Sequence, residues 1–495
     1  MKDKFLFQST RSSKIVASAP EAILSGIAPD GGLFVPAELP NADIRSILSL
    51  NPIPMAAAIL HIMLPSFSEE QLIQLITKGY SDKFDTPAIT PLCAVSDMYV
   101  LELFHGPTCA FKDVALCLLP HLMKASAESL SDNNEIFILT ATSGDTGKAA
   151  LEGFKDVEGT RILVFYPRDG VSAVQKAQMV SQQGKNTYVC SVAGNFDDAQ
   201  TGVKLAFQAL QEEFLGQGVR LSSANSINIG RLAPQVFYYF SAYRDLMDSG
   251  KIMFGDIVDF SVPTGNFGDI LAGFYAKLLG LPIGKLVCAS NANNVLTDFL
   301  RTGTYDRCRP FYTTHSPSMD ILVSSNLERL LYLLTNDTEL VSSLMKDLSE
   351  KGNYTIPSML LEQLQQIFWP DCCNDAETLD TIHHVWKDSG YLLDPHTAVA
   401  WRAAENYRKQ FGAERTMVVL STASPFKFPE AVLSALEIPY SQNGFAAMHE
   451  LSRRVGMPIP KPLRGLEDMP VLHRDSIDPK NLTEYVRKKA IEWNE

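Results

Sequence analysis

From about Val95 onward the chain alternates short β-rich runs with helical stretches, and this alternation restricts the fold more than any other feature. Strands are expected over 135–141, 161–165, 186–192, 256–262, 285–289 and 415–421, with helices from 148 and over 173–183, 197–214 and 231–247. Repeated βα units imply an α/β fold with a parallel sheet, helices on its faces and right-handed crossovers. In such sheets ligands bind beyond the carboxyl ends of the strands, where the strand order breaks. The aromatic side chains of the 231–247 helix (Tyr238, Tyr239, Phe240 and Tyr243) read as core. The first ninety or so residues read as helical and loop-rich, and the last fifty as a packed tail with a helix over 481–493.

Lys112 stands where a turn containing Gly106 and Pro107 meets an apolar run, Ala115-Leu116-Cys117-Leu118-Leu119. An amine held between apolar neighbours is desolvated, which lowers its pKa and frees a nucleophile. Such lysines form Schiff bases with aldehydes, above all with pyridoxal phosphate. A solvated surface lysine is the alternative for this position taken alone. A second segment, Ser261-Val262-Pro263-Thr264-Gly265-Asn266-Phe267-Gly268-Asp269, reads as strand, tight turn and helix start. Free N–H groups at such a helix start carry partial positive charge and bind phosphate. An ordinary βα turn is the alternative here, and the pairing with Lys112 weighs against it.

Two other phosphate loops are excluded. Ser143-Gly144-Asp145-Thr146-Gly147-Lys148 ends like a nucleotide-binding loop, but Thr142 and Ala149 occupy the positions that need glycine and a hydroxyl residue. Gly265 and Gly268 lack the third glycine of a dinucleotide fingerprint, which argues against an oxidoreductase.

The net charge of −13, from 43 basic and 56 acidic residues, argues against a nucleic-acid or anionic-membrane partner. Residues 1–9 contain no apolar signal core, and no apolar stretch reaches membrane-spanning length, so a cytoplasmic protein is expected. Eight cysteines in 495 residues do not make a disulfide framework, and Cys109, Cys117 and Cys190 read as core. His383-His384 lacks a spaced partner set, so no metal is expected.

Almost end to end, the chain resembles the threonine synthases within the fold-type II pyridoxal phosphate enzymes. The signatures are residues 21–26 with 28–36, 105–113, 141–147, 194–198, 225–228, 265–269, 316–321 with 324–326, and 394–398. The resemblance implies two parallel-sheet α/β domains with pyridoxal 5'-phosphate between them, plus a helical N-terminal region. The expected division is an N-terminal region over 1–90, a smaller domain over 91–225 with the Schiff-base lysine, a larger domain over 226–440 with the phosphate loop, and a tail over 441–495.

Carried over by position, Lys112 is the Schiff-base lysine, and Gly265, Asn266, Phe267, Gly268 and Asp269 hold the cofactor phosphate. Asp145 stands beside the ring hydroxyl, and Thr422 faces the pyridine nitrogen. Ser143 and Thr146 suit a substrate carboxylate; Asn195, Asn225, Asn228, Arg231 and Lys427 are candidates around a leaving phosphate. For each of these five, a helix cap or surface role is the alternative. One departure is Ala423-Ser424-Pro425-Phe426-Lys427-Phe428, where the family pattern has His at 424 and Ala at 426.

The implied reaction converts O-phospho-L-homoserine and water to L-threonine and phosphate, by a monomer or homodimer. Three other readings stay open: a phospho-lyase releasing a keto acid and ammonia, a serine or threonine dehydratase, and a non-catalytic phosphate-binding regulator.

Overall fold

Two separate parallel sheets carry the alternating strands. The computed structural model describes residues 6–142, 144–168, 171–194, 196–440 and 443–492, the side chains of 196 and 197 excepted. The larger sheet runs Phe368–Cys372, Ile283–Ser290, Val258–Pro263, Thr416–Ser421, Met98–Glu102, Leu92–Val95. Its pairs are parallel except at the Leu92–Val95 edge, which folds back antiparallel on its neighbour. The smaller sheet runs Asp475–Ile477, Thr187–Val192, Thr160–Pro167, Glu135–Ala141, Val219–Ser222, all parallel.

These sheets depart from the expected division of the chain. Leu92–Val95 and Met98–Glu102 fall inside the expected segment 91–225 yet belong to the larger sheet. The tail strand Asp475–Ile477 extends the smaller sheet as a parallel edge. The N-terminal region is not purely helix and loop either. Phe7–Ser9 pairs antiparallel with Ser12–Ala17 and with Phe34–Pro36, ahead of helices Pro52–Met63 and Glu69–Tyr80.

The long helix expected over 231–247 is broken. Pro234 has no N–H to donate, and a 3₁₀ turn, Ala233–Gln235, separates Ile229–Leu232 from Val236–Asp248. Tyr238, Tyr239, Phe240 and Tyr243 are fully buried, as expected. Cys109, Cys117 and Cys190 are buried as well.

In each sheet one strand sits where the connections change direction. From Val258–Pro263 the chain moves to Ile283–Ser290 on one side, while Thr416–Ser421 flanks it on the other. From Glu135–Ala141 it moves to Thr160–Pro167 on one side, and Val219–Ser222 later returns to the other. Such reversals open a crevice at the carboxyl ends of strands. Residues 264–268 and Thr422 follow two neighbouring strands of the larger sheet, and Asp145 follows the switch strand of the smaller one. No helix among the described residues is long and apolar enough to cross a membrane.

Candidate active site

The lysine loop is folded around a carboxylate. Asp113 accepts hydrogen bonds from the Thr108 amide at 2.8 Å and the Thr108 hydroxyl at 2.6 Å. A Cβ at Gly106 would sit 2.5 Å from Asp113, so only glycine lets the turn close on it. Burial pushes the Asp113 carboxyl up to about 6. His105 pins the base of the loop, with Nδ1 2.6 Å from Asp85 and Nε2 2.8 Å from Glu102. Cys109 adopts a left-handed φ of 57°, a conformation that non-glycine residues hold only where the surroundings impose it.

Lys112 is therefore the first residue of helix Lys112–Leu116 and lies buried. Its Nζ stands 4.4 Å from the centroid of the Phe111 ring. Desolvation by burial brings its pKa down to about 8, against the opposing pull of Asp145. An amine shifted this way gives up its proton more readily than an ordinary lysine, which suits a candidate nucleophile.

Asp145 opens helix Asp145–Phe154, where a negative charge is favoured by the helix dipole. Its Oδ1 lies 2.6 Å from Lys427 Nζ and accepts a hydrogen bond from Gln175 Nε2 at 2.9 Å. Its Oδ2 accepts from the Ser318 hydroxyl at 3.2 Å. Burial opposes ionisation, but the charges of Lys427 and Lys112 outweigh it and hold the carboxyl below its ordinary range.

The loop after Val258–Pro263 has the form of an anion cradle. Phe267 takes a left-handed φ of 60°, and its ring is anchored in the core 5.5 Å from that of Phe368. Among the described residues, no acceptor takes the N–H groups of Gly265, Asn266, Phe267 or Gly268. The carbonyls are occupied instead: Ser324 Oγ donates to Gly265 O at 2.8 Å, and Asn326 N and Nδ2 donate to Asn266 O at 3.1 and 3.0 Å. A loop with filled carbonyls and unfilled N–H groups is an anion site. A Cβ on Gly268 would meet only the side-chain amides of Asn326 and Gln235, at 3.7 and 3.8 Å. Asp269, second in helix Gly268–Leu278, is buried, and that burial lifts its carboxyl to about 6.

Thr422 is buried after Thr416–Ser421, and its carbonyl accepts the Phe111 amide at 2.8 Å, tying it to the lysine loop. Arg231 is buried, donating to Ala224 O at 2.9 Å and Thr146 Oγ1 at 3.4 Å. No carboxylate lies within ion-pair distance of it among the described residues, and burial lowers its pKa to about 10. Asn225 is half-buried on the same segment. Ser143 and Asn195 lie outside the described residues.

Two expected phosphate ligands are already engaged. Asn228 caps helix Ile229–Leu232 through the Gly230 amide at 2.9 Å, and its Nδ2 donates to Ile23 O and Ser223 O at 2.9 and 3.1 Å. Both amide hydrogens have partners, so no donor is left for a phosphate. Lys427 is fully buried, paired with Asp145 and donating to Thr108 O at 3.0 Å. Its alternative as a surface residue fails with it.

Sequence reasoning assigns no role to Gln175, Ser318, Asn326 or His396. Gln175 carries only a helix-start signal, the Ser172-x-x-Gln175 capping box. His396 Nδ1 lies 2.8 Å from Asp394, leaving Nε2 to accept the Ser318 amide at 3.1 Å. The last three lie in signature segments, whose chemistry is read only from their tertiary contacts.

Residues 6–80 match the family model "Threonine synthase N terminus", and 397–470 match "Threonine synthase, C-terminal". A threonine synthase from Pseudomonas aeruginosa is 38% identical over 433 residues, 86% of this chain and 89% of that protein. The chain belongs to the threonine synthase family. Solved family structures agree: one from Brucella melitensis with pyridoxal phosphate bound has a TM-score of 0.84 at 36% identity, covering 98% of this chain and 99% of that one. A yeast threonine synthase has a TM-score of 0.88 at 32% identity, with the same coverage. The expected fold-type II architecture is therefore present. Threonine synthase-like 1 of Homo sapiens is 43% identical over 84% of this chain, which spans only 58% of that relative's length. No group of three or more His, Cys, Asp or Glu residues able to hold a metal occurs among the described residues.

Proposed function

We propose that this chain is a pyridoxal-phosphate-dependent lyase and, within that class, a threonine synthase acting on O-phospho-L-homoserine. The observation that carries the reading is Lys112, a buried amine with its pKa near 8, electrostatically coupled to Asp269 of a cradle with unfilled N–H groups. An aldehyde bearing a phosphate fits both features at once. Lys112 would carry the aldehyde carbon; the N–H groups of Gly265, Asn266, Phe267, Gly268 and Asp269 would hold the phosphate. Asp145 would stand beside the ring hydroxyl, and Thr422 would face the ring nitrogen. When bound, the cofactor supplies an electron sink for the substrate's α carbon. A neutral hydroxyl at Thr422 makes that sink milder than a carboxylate would.

Lys112 serves as the base that takes the substrate's α proton. The C–O bond at the γ carbon breaks, and phosphate leaves with the electron pair. A β proton is also removed, and a proton ends on the γ carbon, which becomes a methyl group. The oxygen of water then bonds the β carbon, its spare proton goes to the departing phosphate, and the α carbon takes back a proton. Arg231, whose hydrogen bonds among the described residues go to neutral oxygens, is the candidate for a substrate anion, with Thr146 and Asn225 beside it. Ser143 and Asn195 belong to the same proposal on sequence grounds. A cytoplasmic setting and a monomeric or homodimeric state belong to it too.

A second reading, a phospho-lyase of the same fold that releases a keto acid and ammonia, rests on Ser424 and Phe426, which stand where the family pattern has His and Ala. Product analysis after feeding O-phospho-L-homoserine separates the two. Threonine and phosphate in equal amounts are expected. Keto acid and ammonia would favour the second reading, and comparable turnover of homoserine without phosphate would sink both.

A further inference from the structure

Lys427 and Asp145 come from different parts of the chain and meet in a buried ion pair 2.6 Å long. Lys427 is 0% and Asp145 4% exposed, so neither charge is shared with solvent. The ammonium reaches further. It donates to Thr108 O, whose residue in turn clamps Asp113 next to Lys112. Lys427 also ends the 3₁₀ turn Pro425–Lys427 that follows Thr422, and the Ser424 amide donates to Cys109 O at 3.1 Å. One cation therefore joins the three segments that present Lys112, Asp145 and Thr422.

The two oxygens of Asp145 are treated unequally. Oδ1 is occupied by Lys427 and Gln175, while among the described residues Oδ2 accepts only the Ser318 hydroxyl, at 3.2 Å. Among the described residues, the charged or titratable groups acting on Asp145 include Lys427, Lys112 and Cys109; Lys112 in turn is acted on by Arg231 and Asp269, and Cys109 by Asp113 and Asp85. Lys427 is the one in direct contact with the carboxylate. A carboxyl buried without such a cation keeps its proton, which turns an acceptor into a donor.

We infer that Lys427 is a positioning residue that keeps Asp145 an acceptor-only carboxylate, so that Oδ2 receives the hydrogen bond of the cofactor's ring hydroxyl. The inference rests on the proposed pyridoxal phosphate site. It replaces a role for Lys427 at the substrate phosphate with one at the cofactor ring.

The test is a pH titration of the visible absorbance of the purified holoenzyme. In the wild type the band should show no transition from Asp145 across the neutral range. In Lys427→Met the uncompensated carboxyl should titrate at about pH 5–8, adding a transition to the band. Lys427→Arg should suppress that transition, and Lys427→Met combined with Asp145→Asn should abolish it. If Lys427→Met does not fold, Lys427→Gln, which keeps a neutral donor for Thr108 O, is read in the same way. Wild-type titration in both the Met and Gln variants would overturn the inference, as would a transition that persists in the double variant. A raised KM for the substrate with an unchanged spectrum would return Lys427 to the phosphate site and also overturn it. If the wild type itself takes up no cofactor, the underlying reading fails instead, which the same spectra reveal.

Discussion

The cradle at 265–268 and the lysine side of the crevice are held by different forces. The cradle is a backbone device: neutral donors from Ser324 and Asn326 occupy its carbonyls, and no acceptor among the described residues takes its N–H groups. The lysine side is a network of buried charges, in which Lys112, Asp145 and Lys427 act on one another and Asp113 is clamped by Thr108. Damage to the first should remove a ligand and spare the fold. Damage to the second should disturb protonation and stability together, because one charge removed leaves another buried and unpaired.

The largest effect that could break this contrast is at Lys112. Lys112→Ala should lower turnover by roughly 10⁴-fold or more, since both the attachment point and the base are lost. Borohydride treatment of the wild type followed by peptide mapping should find the cofactor on Lys112, and an adduct on Lys124 or Lys148 would refute the assignment. The amine should also set the pH dependence of reconstitution. With its folded pKa near 8 instead of the ordinary value above 10, attachment of added cofactor should quicken up to about pH 8 and then level off. A rate that keeps climbing to about pH 10, the range of an ordinary lysine, would mean the amine is not desolvated in solution.

Gly268→Asp comes next and tests the cradle alone. A carboxylate placed among the N–H groups repels a dianionic phosphate, so cofactor retention should be lost. The circular dichroism spectrum and melting of the apoprotein should stay close to wild type, because a Cβ there meets nothing closer than 3.7 Å. A variant that stays yellow would put the phosphate elsewhere.

Arg231→Met should have a smaller, substrate-selective effect. One charge-assisted contact is worth about 1.5–3 kcal/mol, so kcat/KM for the phosphate ester should fall on the order of ten- to a hundredfold. Equal losses on the ester and on homoserine would show that Arg231 serves structure alone.

Asn228→Ala is the mildest of the set. Losing a helix cap and two buried carbonyl partners should cost about 2–4 kcal/mol of stability, read from the urea midpoint, with KM unchanged in the folded protein. A raised KM at unchanged stability would restore Asn228 to the phosphate site.

Part of this site is legible in the residue order alone. Lys112 and the loop 265–269 announce themselves because each is a local pattern, a lysine between a turn and an apolar run, or a strand broken by glycines ahead of a helix. The βα alternation is legible for the same reason, since periodicity and turn residues act within a few positions. Even there, Pro234 breaks a helix that apolar spacing alone draws as continuous. Asn228 and Lys427 look like free polar groups, because nothing near them in the chain reveals which distant atoms they bind.

By itself the sequence determined a parallel α/β scaffold and marked Lys112 and the loop 265–269 as candidates for a reactive amine and an anion site. Each follows from local propensity, hydrophobic period or the conformational demands of glycine. Only the tertiary structure decided that strands Leu92–Val95 and Met98–Glu102 join the larger sheet, and that the tail strand Asp475–Ile477 closes an edge of the smaller one. It alone also decided that Lys427 neutralises Asp145 and leaves Arg231 without an acidic partner in ion-pair range among the described residues. Strand order and buried charge pairing depend on which distant segments share a low-dielectric space, and that is set by packing of the whole chain.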